Sequence, residues 1–331
     1  MIITRTPFRV SFFGGGTDYP AWFRQHGGAV LATSIDKYCY ISLRCLPPFF
    51  RHKHRIVYSN VENVQSVDEI QHPAVREALR WSGVDKGLEI HHDGDLPARS
   101  GLGSSSSFTV GLLHALQALK GMQVSKEELA GLAIHIEQDL IKEHVGSQDQ
   151  VSVTHGGFNR IEFYRNGHYS LEPVILPDGR FTELQDHLML FFTGFSRIAA
   201  EVAKSKIDNL SKREDQLQEM RAMVDEAIGI LRDPATPLRE FGRLLHEAWR
   251  RKRTLSDRVS SVEIDAIYQA AMDAGALGGK LLGAGGGGFM VVFAEPSRQS
   301  AIRERLNRLI HVPFHFEDSG SRIVLYQPNG L

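Results

Sequence analysis

The sequence predicts an α+β protein built in two parts, and three features of the chain indicate this. Strand-like and helix-like runs are mixed over about the first 180 residues, whereas long helical runs prevail in the rest. The segment Pro177–Arg180 reads PDGR, a turn signal that suits a boundary between the parts. With 331 residues, the chain is long enough for two domains or one large domain with a substantial core.

In the first part, apolar runs predict strands and helical periodicity predicts helices. Asn166 and Gly167 separate the last two strand-like runs and indicate a β-hairpin. The predicted strands are Ile2–Phe13, Ala29–Leu46, Arg55–Ser59, Leu88–His92, Gly157–Tyr164 and Tyr169–Ile175, and the predicted helices are Pro73–Trp81, Ser104–Leu119 and Ser125–Glu143.

The second part opens with the strand-like run HLMLFFTG at 187–194. Long helical segments are predicted to follow at about 198–231, 237–254 and 263–274. The remaining elements are predicted as strands at 288–294, 312–316 and 322–326, with a helix at 298–309. This order is typical of an α+β sandwich.

Composition and charge describe an ordinary globular protein and exclude several other classes. Apolar residues make up 42% of the chain, charged residues make up 23%, and the formal net charge is -1. Such a chain lacks the charge of a nucleic-acid or polyanion binder. Cys39 and Cys45 lie too far apart on one predicted strand to bond, which favours reduced thiols. Because no run resembles a signal peptide or a transmembrane segment, we expect a soluble cytoplasmic protein without membrane contacts.

The segment Leu96–Ser107, reading LPARSGLGSSSS, is the most informative stretch of the chain. Its glycines and serines directly precede an apolar helical run, so the loop leads into the start of a helix. A helix N-terminus presents unpaired N–H groups and partial positive charge to an anion, and glycine lets the backbone approach closely. The pattern fits a phosphate-binding loop or, as a plainer alternative, a serine-rich cap on a core helix. It is not a Walker A loop because no lysine follows Gly103.

Two further glycine clusters raise the odds of a phosphate site. Gly283–Gly288 contains five glycines before the strand-like run FMVVF, and Gly14–Gly16 precedes Thr17 and Asp18. Ordering many glycines costs backbone entropy, so close approach to a ligand or to the loop at 96–107 explains the cluster at 283–288 better than a flexible turn. Taken alone, GGGTD is a tight turn with an Asx cap. Three such turns at the ends of predicted elements are harder to explain as unrelated.

These three loops resemble, in order and spacing, the signature motifs of the GHMP kinases, the superfamily of galacto-, homoserine, mevalonate and phosphomevalonate kinases. The motifs are PFRVSFFGGGTDY, LPARSGLGSSSS and LLGAGGGGF. The resemblance implies a two-lobed fold with the active site between the lobes. It implies a ribosomal-protein-like α/β lobe over 1–180, with the ATP site and catalytic base, and a ferredoxin-like α+β lobe over 181–331.

Within the superfamily, the GGGTD sequence is similar to that of kinases acting on D-glycero-D-manno-heptose 7-phosphate. The stretches FFTGFSR at Phe191–Arg197 and LLHEAWRRKRTLS at Leu244–Ser256 resemble the same branch. The resemblance implies that ATP phosphorylates the C1 hydroxyl of this sugar. The resulting 1,7-bisphosphate would supply nucleotide-activated heptose for capsule or lipopolysaccharide synthesis.

The resemblance also implies where ATP and Mg²⁺ bind. Phosphoryl transfer depends mainly on positioning and charge neutralisation, and Mg²⁺ prefers oxygen ligands. We expect Mg²⁺ on Ser105, with Ser104 or Ser106 as alternatives, and on Glu137, with Asp139 as the other acid nearby. A solvated helix charge is the plainer alternative for either acid. The expected ATP-binding residues are Arg99, Ser100, Gly101, Leu102, Gly103, Ser104, Ser105, Ser106 and Ser107.

Asp149, in the sequence GSQDQ, matches the family's catalytic aspartate, and Arg9 matches the basic position of the first motif. The resemblance implies that Asp149 accepts the proton of the attacking hydroxyl or orients it. Arg9 would lower the pKa of that aspartate and stabilise charge on the transferred phosphoryl group. The plainer alternatives are a turn or N-cap aspartate and a salt-bridged arginine on a strand.

The acceptor is expected to lie against the first and third motifs. Asp18 is the first candidate for binding sugar hydroxyls, with help from Thr17. The other expected acceptor contacts are Gly15, Gly16, Gly285 and Gly286.

An acceptor that carries a phosphate also needs a cationic clamp. Arg197 and Lys252 are the first choices because they lie in the stretches that resemble the heptose branch. Arg251 and Lys37 come next. The run Arg51–Arg55 is a further candidate, although charge runs are usually solvated surface.

Two other functions are compatible with these motifs. One is a related kinase with fucose or galactose as acceptor, although galactokinases carry Gly-Glu-His-Thr-Asp where this chain has Gly14–Asp18. The other is a non-catalytic nucleotide sensor, against which the joint presence of Arg9, Glu137 and Asp149 argues. In each case the expected partner is a small molecule, and the sequence does not decide whether the protein forms a homodimer.

Overall fold

The computed structural model describes residues 1–194, 199–209 and 213–328. Its strands are β1 (Ile2–Phe13), β2 (Gly28–Cys45), β3 (His54–Val57), β4 (Val61–Val64), β5 (Leu88–Gly94), β6 (Phe158–Phe163), β7 (Tyr169–Pro173), β8 (Leu188–Phe192), β9 (Gly278–Leu281), β10 (Phe289–Phe293), β11 (Ile310–His311), β12 (Phe316–Glu317) and β13 (Arg322–Tyr326). Its helices are α1 (Pro20–His26), α2 (Pro73–Ser82), α3 (Ser104–Leu119), α4 (Lys126–Ile134), α5 (Gln148–His155), α6 (Arg180–Asp186), α7 (Ala199–Asn209), α8 (Glu214–Arg232), α9 (Arg239–Thr254), α10 (Val262–Asp273) and α11 (Gln299–Arg305). The predicted α+β class is confirmed.

Two long antiparallel strands, β1 and β2, form the centre of the first sheet. The strand order is β13-β1-β2-β5-β3-β4, and β6, β7 and β12 extend the sheet from β2. The first residues of β2 pair with β6, whereas its last residues pair with β5. Helix α3 packs on β1 and β2, and its apolar residues are almost all buried. The start of α3 is thereby fixed against the sheet.

The second sheet is smaller and entirely antiparallel, with the order β11-β8-β10-β9. The run FMVVF, predicted as a strand, is β10, and all five of its residues are buried. Helices α9 and α10 contact β9. Strand β9 leads directly into the glycine cluster at 283–288, so this sheet positions the third motif.

The last strands of the chain lie beyond the expected division at residue 180 and return to the first sheet. β13 pairs with β1, with Tyr326 opposite Ile2, and β12 pairs with β2. The apolar core also crosses that division, because the ring of Phe241 packs on those of Phe12 and Phe13, with centroid-to-centroid distances of 5.7 and 5.2 Å. The first sheet therefore takes in the strands at 316–326, whereas the strands of the second sheet all lie between residues 188 and 311. A strand pattern shows that a strand exists but not which partner it takes.

Several helices differ from their predicted extents. The segment predicted as one helix at 198–231 contains α7 and α8, and residues 210–212 between them lie outside the described part. The helix predicted over Ser125–Glu143 is α4 followed by a π-helical turn, His135–Leu140. Six elements were not predicted from the sequence, and none is longer than eight residues: α1, α5, α6, β4, β9 and β11. Periodicity carries little information over so few residues.

Two further observations concern the cysteines and the hydropathy of the helices. Cys39 and Cys45 are both free on β2, and burial raises the pKa of the Cys39 thiol, which disfavours the reactive thiolate. Among the helices that the structure describes, none has the length and apolar character needed to cross a bilayer.

Candidate active site

A cleft of about 900 Å³ lies between the first sheet and the elements of the second half of the chain. Residues from all three glycine-rich motifs line it, together with residues of α7 and α9. Of the site residues expected from the sequence, those in the lining are Arg9, Gly15, Gly16, Asp18, Arg99, Gly101, Gly103, Ser104, Ser105, Asp149 and Lys252. The structure thus brings together three loops that are far apart in the sequence.

Arg9 and Asp149 form a bidentate ion pair at the floor of the cleft. Arg9 Nε and Nη2 donate to Asp149 Oδ1 and Oδ2, each over 2.8 Å, and Arg9 Nη1 donates to the Gly101 carbonyl over 2.8 Å. The Arg9 side chain is 3% exposed and that of Asp149 is 27% exposed, so the carboxylate faces the cleft and the guanidinium lies behind it. Two parallel hydrogen bonds fix the plane of the carboxylate. Each carboxylate oxygen can still accept a further proton or hydrogen bond.

Helix α5 positions Asp149 in its first turn, next to Gln148. The Gln148 side chain accepts a hydrogen bond from the Ser11 hydroxyl over 2.7 Å. Both α5 and β1 therefore contribute neighbouring groups to the same wall: Arg9 and Ser11 from the strand, Gln148 and Asp149 from the helix. This double attachment holds the carboxylate at a fixed distance from the loop at 99–107.

Asp18 is buried in the turn after β1 and lines the cleft. Its Oδ1 accepts from the Gly16 amide over 2.8 Å and its Oδ2 from the Gln148 amide over 3.4 Å. Burial raises the pKa of Asp18, and the nearby Asp149 raises it further. A Cβ at Gly146 would lie 1.9 Å from Asp18 Oδ2, so only glycine fits there. A carboxyl group held in this way can orient a sugar hydroxyl.

Thr17, expected to help Asp18, does not line the cleft. Its hydroxyl donates to the Gly14 carbonyl over 2.8 Å and accepts from the Ala29 amide over 3.1 Å. The side chain is completely buried. In this structure Thr17 closes the turn that presents Gly15, Gly16 and Asp18.

The loop at 99–107 divides into residues that face the cleft and residues that secure the loop. Gly101, Gly103, Ser104 and Ser105 face the cleft, and the left-handed Gly103 (φ 74°) immediately precedes α3. The securing residues are buried: the Ser100 hydroxyl donates to Pro97 O over 2.7 Å, Leu102 O accepts from Arg9 N over 3.0 Å, and the Ser107 hydroxyl donates to Pro7 O over 2.8 Å. The amides at the start of α3 are therefore aimed at the cleft by a rigid support.

The third motif packs directly on this loop. A Cβ at Gly283 would lie 2.5 Å from Gly101 Cα, and a Cβ at Gly288 would lie 2.3 Å from Ser100 O. The Phe289 amide donates to Ser100 O over 2.9 Å. Close approach to the loop at 96–107 is thus the reason for these glycines, which is one of the two explanations that the sequence offered.

Gly285 and Gly286, expected near the acceptor, approach another segment instead. The Gly286 amide donates to the Val259 carbonyl over 3.0 Å, and a Cβ at Gly285 would lie 2.7 Å from the same oxygen. Neither residue is part of the cleft lining, whereas Gly283 and Ala284 are. These two glycines shape the third motif from behind.

Glu137 lies on the π-helical turn after α4 and is completely buried. Its Oε2 accepts from the Ser106 hydroxyl over 2.9 Å and from the Gln150 amide group, while its buried Oε1 has no hydrogen-bond partner among the described residues. Burial raises the pKa of Glu137 to about 7. Among the expected serine ligands, Ser106 contacts this carboxyl, whereas Ser105 is exposed in the cleft wall. Asp139 is exposed and bonded to His135 over 2.8 Å.

The cations expected to hold the acceptor phosphate lie in different places. Lys252 lines the cleft, and its Nζ donates to Leu281 O over 2.6 Å and to Gly283 O over 2.7 Å. Arg197 lies outside the described residues. The remaining candidates do not line the cleft: Arg251 pairs with Glu219 at 2.8 Å, Lys37 pairs with Asp36 at 2.9 Å, and the run 51–55 lies at β3.

Several residues in the cleft lining were not expected from the sequence. Lys280 donates from Nζ to the Phe12 carbonyl over 2.8 Å and so joins β9 to the end of β1. Lys280 directly precedes the third motif, LLGAGGGGF, and lies on β9, a strand of four residues that the sequence did not predict. The other unexpected lining residues outside the third motif are Ser11, Tyr19, Ala98, Lys142, Glu143, His144, Val145, Gly146, Gln148 and Ala203.

Comparison with protein families gives two matches that together span more than half of the chain. Residues 69–157 match the GHMP kinases N terminal domain, and residues 214–311 match the GHMP kinases C terminal domain. The first match contains the loop at 99–107, Glu137 and Asp149, and the second contains Lys252 and the third motif. Both matched segments therefore contain residues that line the cleft.

Individual relatives agree with this assignment. The D-glycero-alpha-D-manno-heptose 7-phosphate kinase of Campylobacter jejuni subsp. jejuni serotype O:2 is 30% identical over 324 residues, covering 93% of each chain. The L-fucokinase/L-fucose-1-P guanylyltransferase of Bacteroides fragilis is 28% identical over 91% of this chain and 35% of that longer protein. The crystal structure of a D-glycero-D-manno-heptose 1-phosphate kinase from Bacteroides thetaiotaomicron superposes with a TM-score of 0.78 over 97% and 98% of the two chains, at 23% identity, and so supports the fold. The chain belongs to the GHMP kinases and is a phosphotransferase with an alcohol group as acceptor.

Proposed function

We propose that this kinase uses ATP to phosphorylate the C1 hydroxyl of D-glycero-D-manno-heptose 7-phosphate, giving the 1,7-bisphosphate. The observation that carries the proposal is the similarity to a heptose 7-phosphate kinase over 93% of both chains. The cleft supports the proposal, because Asp149, the loop at 99–107 and the buried carboxyl of Asp18 line one cavity. Related fucokinases and galactokinases match less closely.

In the proposed reaction, the C1 hydroxyl of the sugar approaches Asp149. Asp149 accepts the hydroxyl proton while the oxygen forms a bond to the γ-phosphorus of ATP and the bond to the β-phosphate oxygen breaks, releasing ADP. Arg9 fixes both carboxylate oxygens at 2.8 Å and keeps the base in place. The amides at the start of α3 donate to the phosphate oxygens of the nucleotide.

The arrangement around Glu137 fits a divalent cation, and we include Mg²⁺ in the proposal. The observation is the buried Glu137 Oε1 without a hydrogen-bond partner among the described residues, next to the hydroxyl-rich start of α3. Glu137 and the hydroxyl of Ser106, with Ser105 as the ligand first expected, would supply oxygen ligands. When bound there, Mg²⁺ would supply positive charge to neutralise the phosphates.

The acceptor is proposed to lie between the first motif and the second half of the chain. Asp18 and the backbone of Gly15 and Gly16 would bind its hydroxyls. Its 7-phosphate would lie near Lys252 and Lys280, whose ammonium groups are buried in the same wall. Arg197 keeps its proposed role in this clamp on the sequence resemblance alone.

The proposal also covers the cellular role and assembly. A heptose 1,7-bisphosphate is an intermediate suited to nucleotide-activated heptose for capsule or lipopolysaccharide synthesis in the cytoplasm. For a homodimer, the supporting feature is β13, an edge strand of the first sheet with exposed Ile323, Val324 and Tyr326.

The proposal is tested by ADP release with MgATP over a panel of acceptors: heptose 7-phosphate, unphosphorylated heptose, mannose, fucose, galactose, homoserine and mevalonate. We expect turnover with heptose 7-phosphate only. Asp149→Asn should lower kcat by at least about 100-fold, because it removes the base. The Kd for nucleotide should stay within twofold, because the loop at 99–107 is left unchanged. Asp139→Asn, at an exposed carboxylate, serves as the matched control and should keep full activity.

Other outcomes point to specific alternatives. Turnover confined to an unphosphorylated sugar would retain the kinase but reject the 7-phosphate acceptor and its clamp. Full activity of Asp149→Asn would reject the assigned base. Nucleotide binding without turnover on any acceptor would favour the sensor.

A further inference from the structure

Two non-glycine residues in the described part have a left-handed backbone, and both line the cleft. They are Arg99, with φ 58°, and Lys142, with φ 63°. Residues with a Cβ avoid this region because the Cβ crowds the backbone, and arginine and lysine have no short side chain to offset the cost. Such strain gathers at functional sites. The strained backbone at Arg99 and Lys142 therefore points to a function for their side chains.

The side chains of Arg99 and Lys142 are exposed, and neither makes a hydrogen bond or ion pair with another described residue. For Arg99, the bond to Ser104 Oγ over 3.0 Å comes from the backbone amide. Three other cations in the cleft are different, because Arg9, Lys252 and Lys280 all donate to protein oxygens. Among the described arginines and lysines of the cleft there are thus two kinds of cation, and Arg99 and Lys142 are the ones without a contact of that kind.

Both residues belong to the nucleotide end of the cleft. Arg99 begins the loop at 99–107, and Lys142 follows the π-helical turn that carries Glu137. The next residue, Glu143, donates its amide to the Glu137 carbonyl over 2.9 Å. Burial raises the pKa of Glu143 and the positive charge of Arg99 opposes that rise. Arg99, Lys142 and Glu143 all line the same cleft. The acceptor end, with Gly15, Gly16 and Asp18, is formed by the first motif.

We propose that Lys142 and Arg99 form a cationic clamp for the β- and γ-phosphates of the nucleotide, in addition to the backbone amides of the loop. A guanidinium can bind two phosphate oxygens at once, and an ammonium acts as a movable point charge. Both residues line the cleft with exposed side chains. The inference rests on the proposed ATP-dependent kinase activity but not on the identity of the acceptor sugar.

The test is the equilibrium binding of MgADP, Mg-AMP-PNP and AMP to the wild-type protein and to Lys142→Gln, Arg99→Gln and Lys142→Gly, without any acceptor present. We expect each variant to weaken MgADP and Mg-AMP-PNP binding by about 10-fold, as loss of a charge-assisted hydrogen bond predicts. AMP binding should stay within twofold, because AMP has no β- or γ-phosphate. Lys53→Gln, at a surface lysine outside the cleft that pairs with Asp85, is the matched control and should change none of the three.

Lys142→Gly separates the charge from the backbone. Glycine adopts a left-handed φ without strain, so the melting temperature of Lys142→Gly should equal or exceed that of Lys142→Gln. The nucleotide affinity of the two variants should fall equally. Unchanged MgADP binding in both Lys142 variants would overturn the assignment of Lys142. Equal weakening for AMP would also overturn it, since the effect would not be at the outer phosphates.

A separate arm distinguishes the nucleotide from the acceptor as the source of the phosphate. The KM for heptose 7-phosphate at saturating MgATP should change less than twofold in Lys142→Gln. A raised acceptor KM with unchanged nucleotide affinity would place the clamp at the sugar phosphate and overturn the proposal. Failure of the wild-type protein to use heptose 7-phosphate would reject the acceptor but leave the binding result interpretable.

Discussion

Glu137 is a fully buried carboxyl whose charge the free protein solvates poorly. Two donors, Ser106 and Gln150, reach Oε2, and Oε1 has none among the described residues. Burial is the largest cause of the shift that raises the pKa of Glu137 to about 7 from its ordinary 4.5. Ionisation of this side chain is therefore easier in the unfolded chain than in the folded protein.

This difference makes stability depend on pH with a definite sign. Below the unfolded pKa of 4.5 both states are protonated, so Glu137 does not affect the pH dependence of stability. Between pH 4.5 and about 7 the unfolded chain ionises while the folded protein keeps its proton, so stability falls, and above about 7 the loss is constant. We expect the free energy of unfolding to fall by about 2–3 kcal/mol more in the wild type than in Glu137→Gln between pH 5 and pH 8. Urea unfolding without Mg²⁺ or nucleotide measures it. Asp139→Asn should follow the wild-type profile, and parallel profiles for wild type and Glu137→Gln would contradict the prediction.

The sequence could place Glu137 near a serine but could not choose the serine. Four identical side chains, Ser104–Ser107, begin α3, and successive residues on a helix point in directions about 100° apart. Ser105 consequently faces the cleft while Ser106 faces Glu137. Only the rotation of α3 on the sheet decides this, and that rotation is set by residues distant in the sequence.

The loop at 99–107 and the third motif are packed back to back, without side chains between them at Gly101 and Gly283. We expect Gly283→Ala to weaken nucleotide binding and lower stability. The added Cβ would lie 2.5 Å from Gly101 Cα, a backbone atom that can move only with the whole loop. The extra loss relative to a strain-only substitution should be about 1–3 kcal/mol, the usual cost of overpacking. Thermal unfolding and MgADP titration measure the two effects.

Gly121→Ala is the matched control for this substitution. Gly121 has nearly the same φ, 71° against 67°, but a Cβ there would meet nothing within 4 Å. Both variants therefore carry the conformational cost of a left-handed alanine, and only Gly283→Ala adds the clash. Equal destabilisation of the two, with unchanged nucleotide affinity in both, would show that the loops can separate freely.

Prediction of the secondary-structure elements succeeded where the apolar pattern was long. β1 and α3 have the predicted bounds, because twelve and sixteen residues give a clear period. Helix α5 was missed, although it carries Asp149, because it has eight residues and starts in GSQDQ, which reads as a turn. Helix α6 was missed for a similar reason, since it begins in the turn signal PDGR with Gly179 left-handed at φ 77°. The helix that carries Asp149 is thus one that the local sequence pattern describes poorly.

The chain as a whole is joined across the expected division by three kinds of contact. β12 and β13 complete the first sheet, Phe241 packs on Phe12 and Phe13, and Lys280 donates to the Phe12 carbonyl. One buried apolar cluster runs through both halves and includes residues from β1, α3, α8, α9 and β10. Such pairings link residues more than 200 positions apart, and no local signal in the sequence predicts them.

We therefore expect the protein to unfold as one unit. If residues 1–180 and 181–331 were independent domains, calorimetry would show two transitions or a calorimetric enthalpy well above the van't Hoff enthalpy. Because the core is shared, we expect one transition with the two enthalpies nearly equal. The measurement is differential scanning calorimetry of the free protein, repeated on a variant that ends at residue 311 and so lacks β12 and β13. Removing those strands exposes the edge of β1 and should lower the midpoint of the whole transition. A second transition that keeps its wild-type midpoint in the shortened protein would instead show that the second sheet folds on its own.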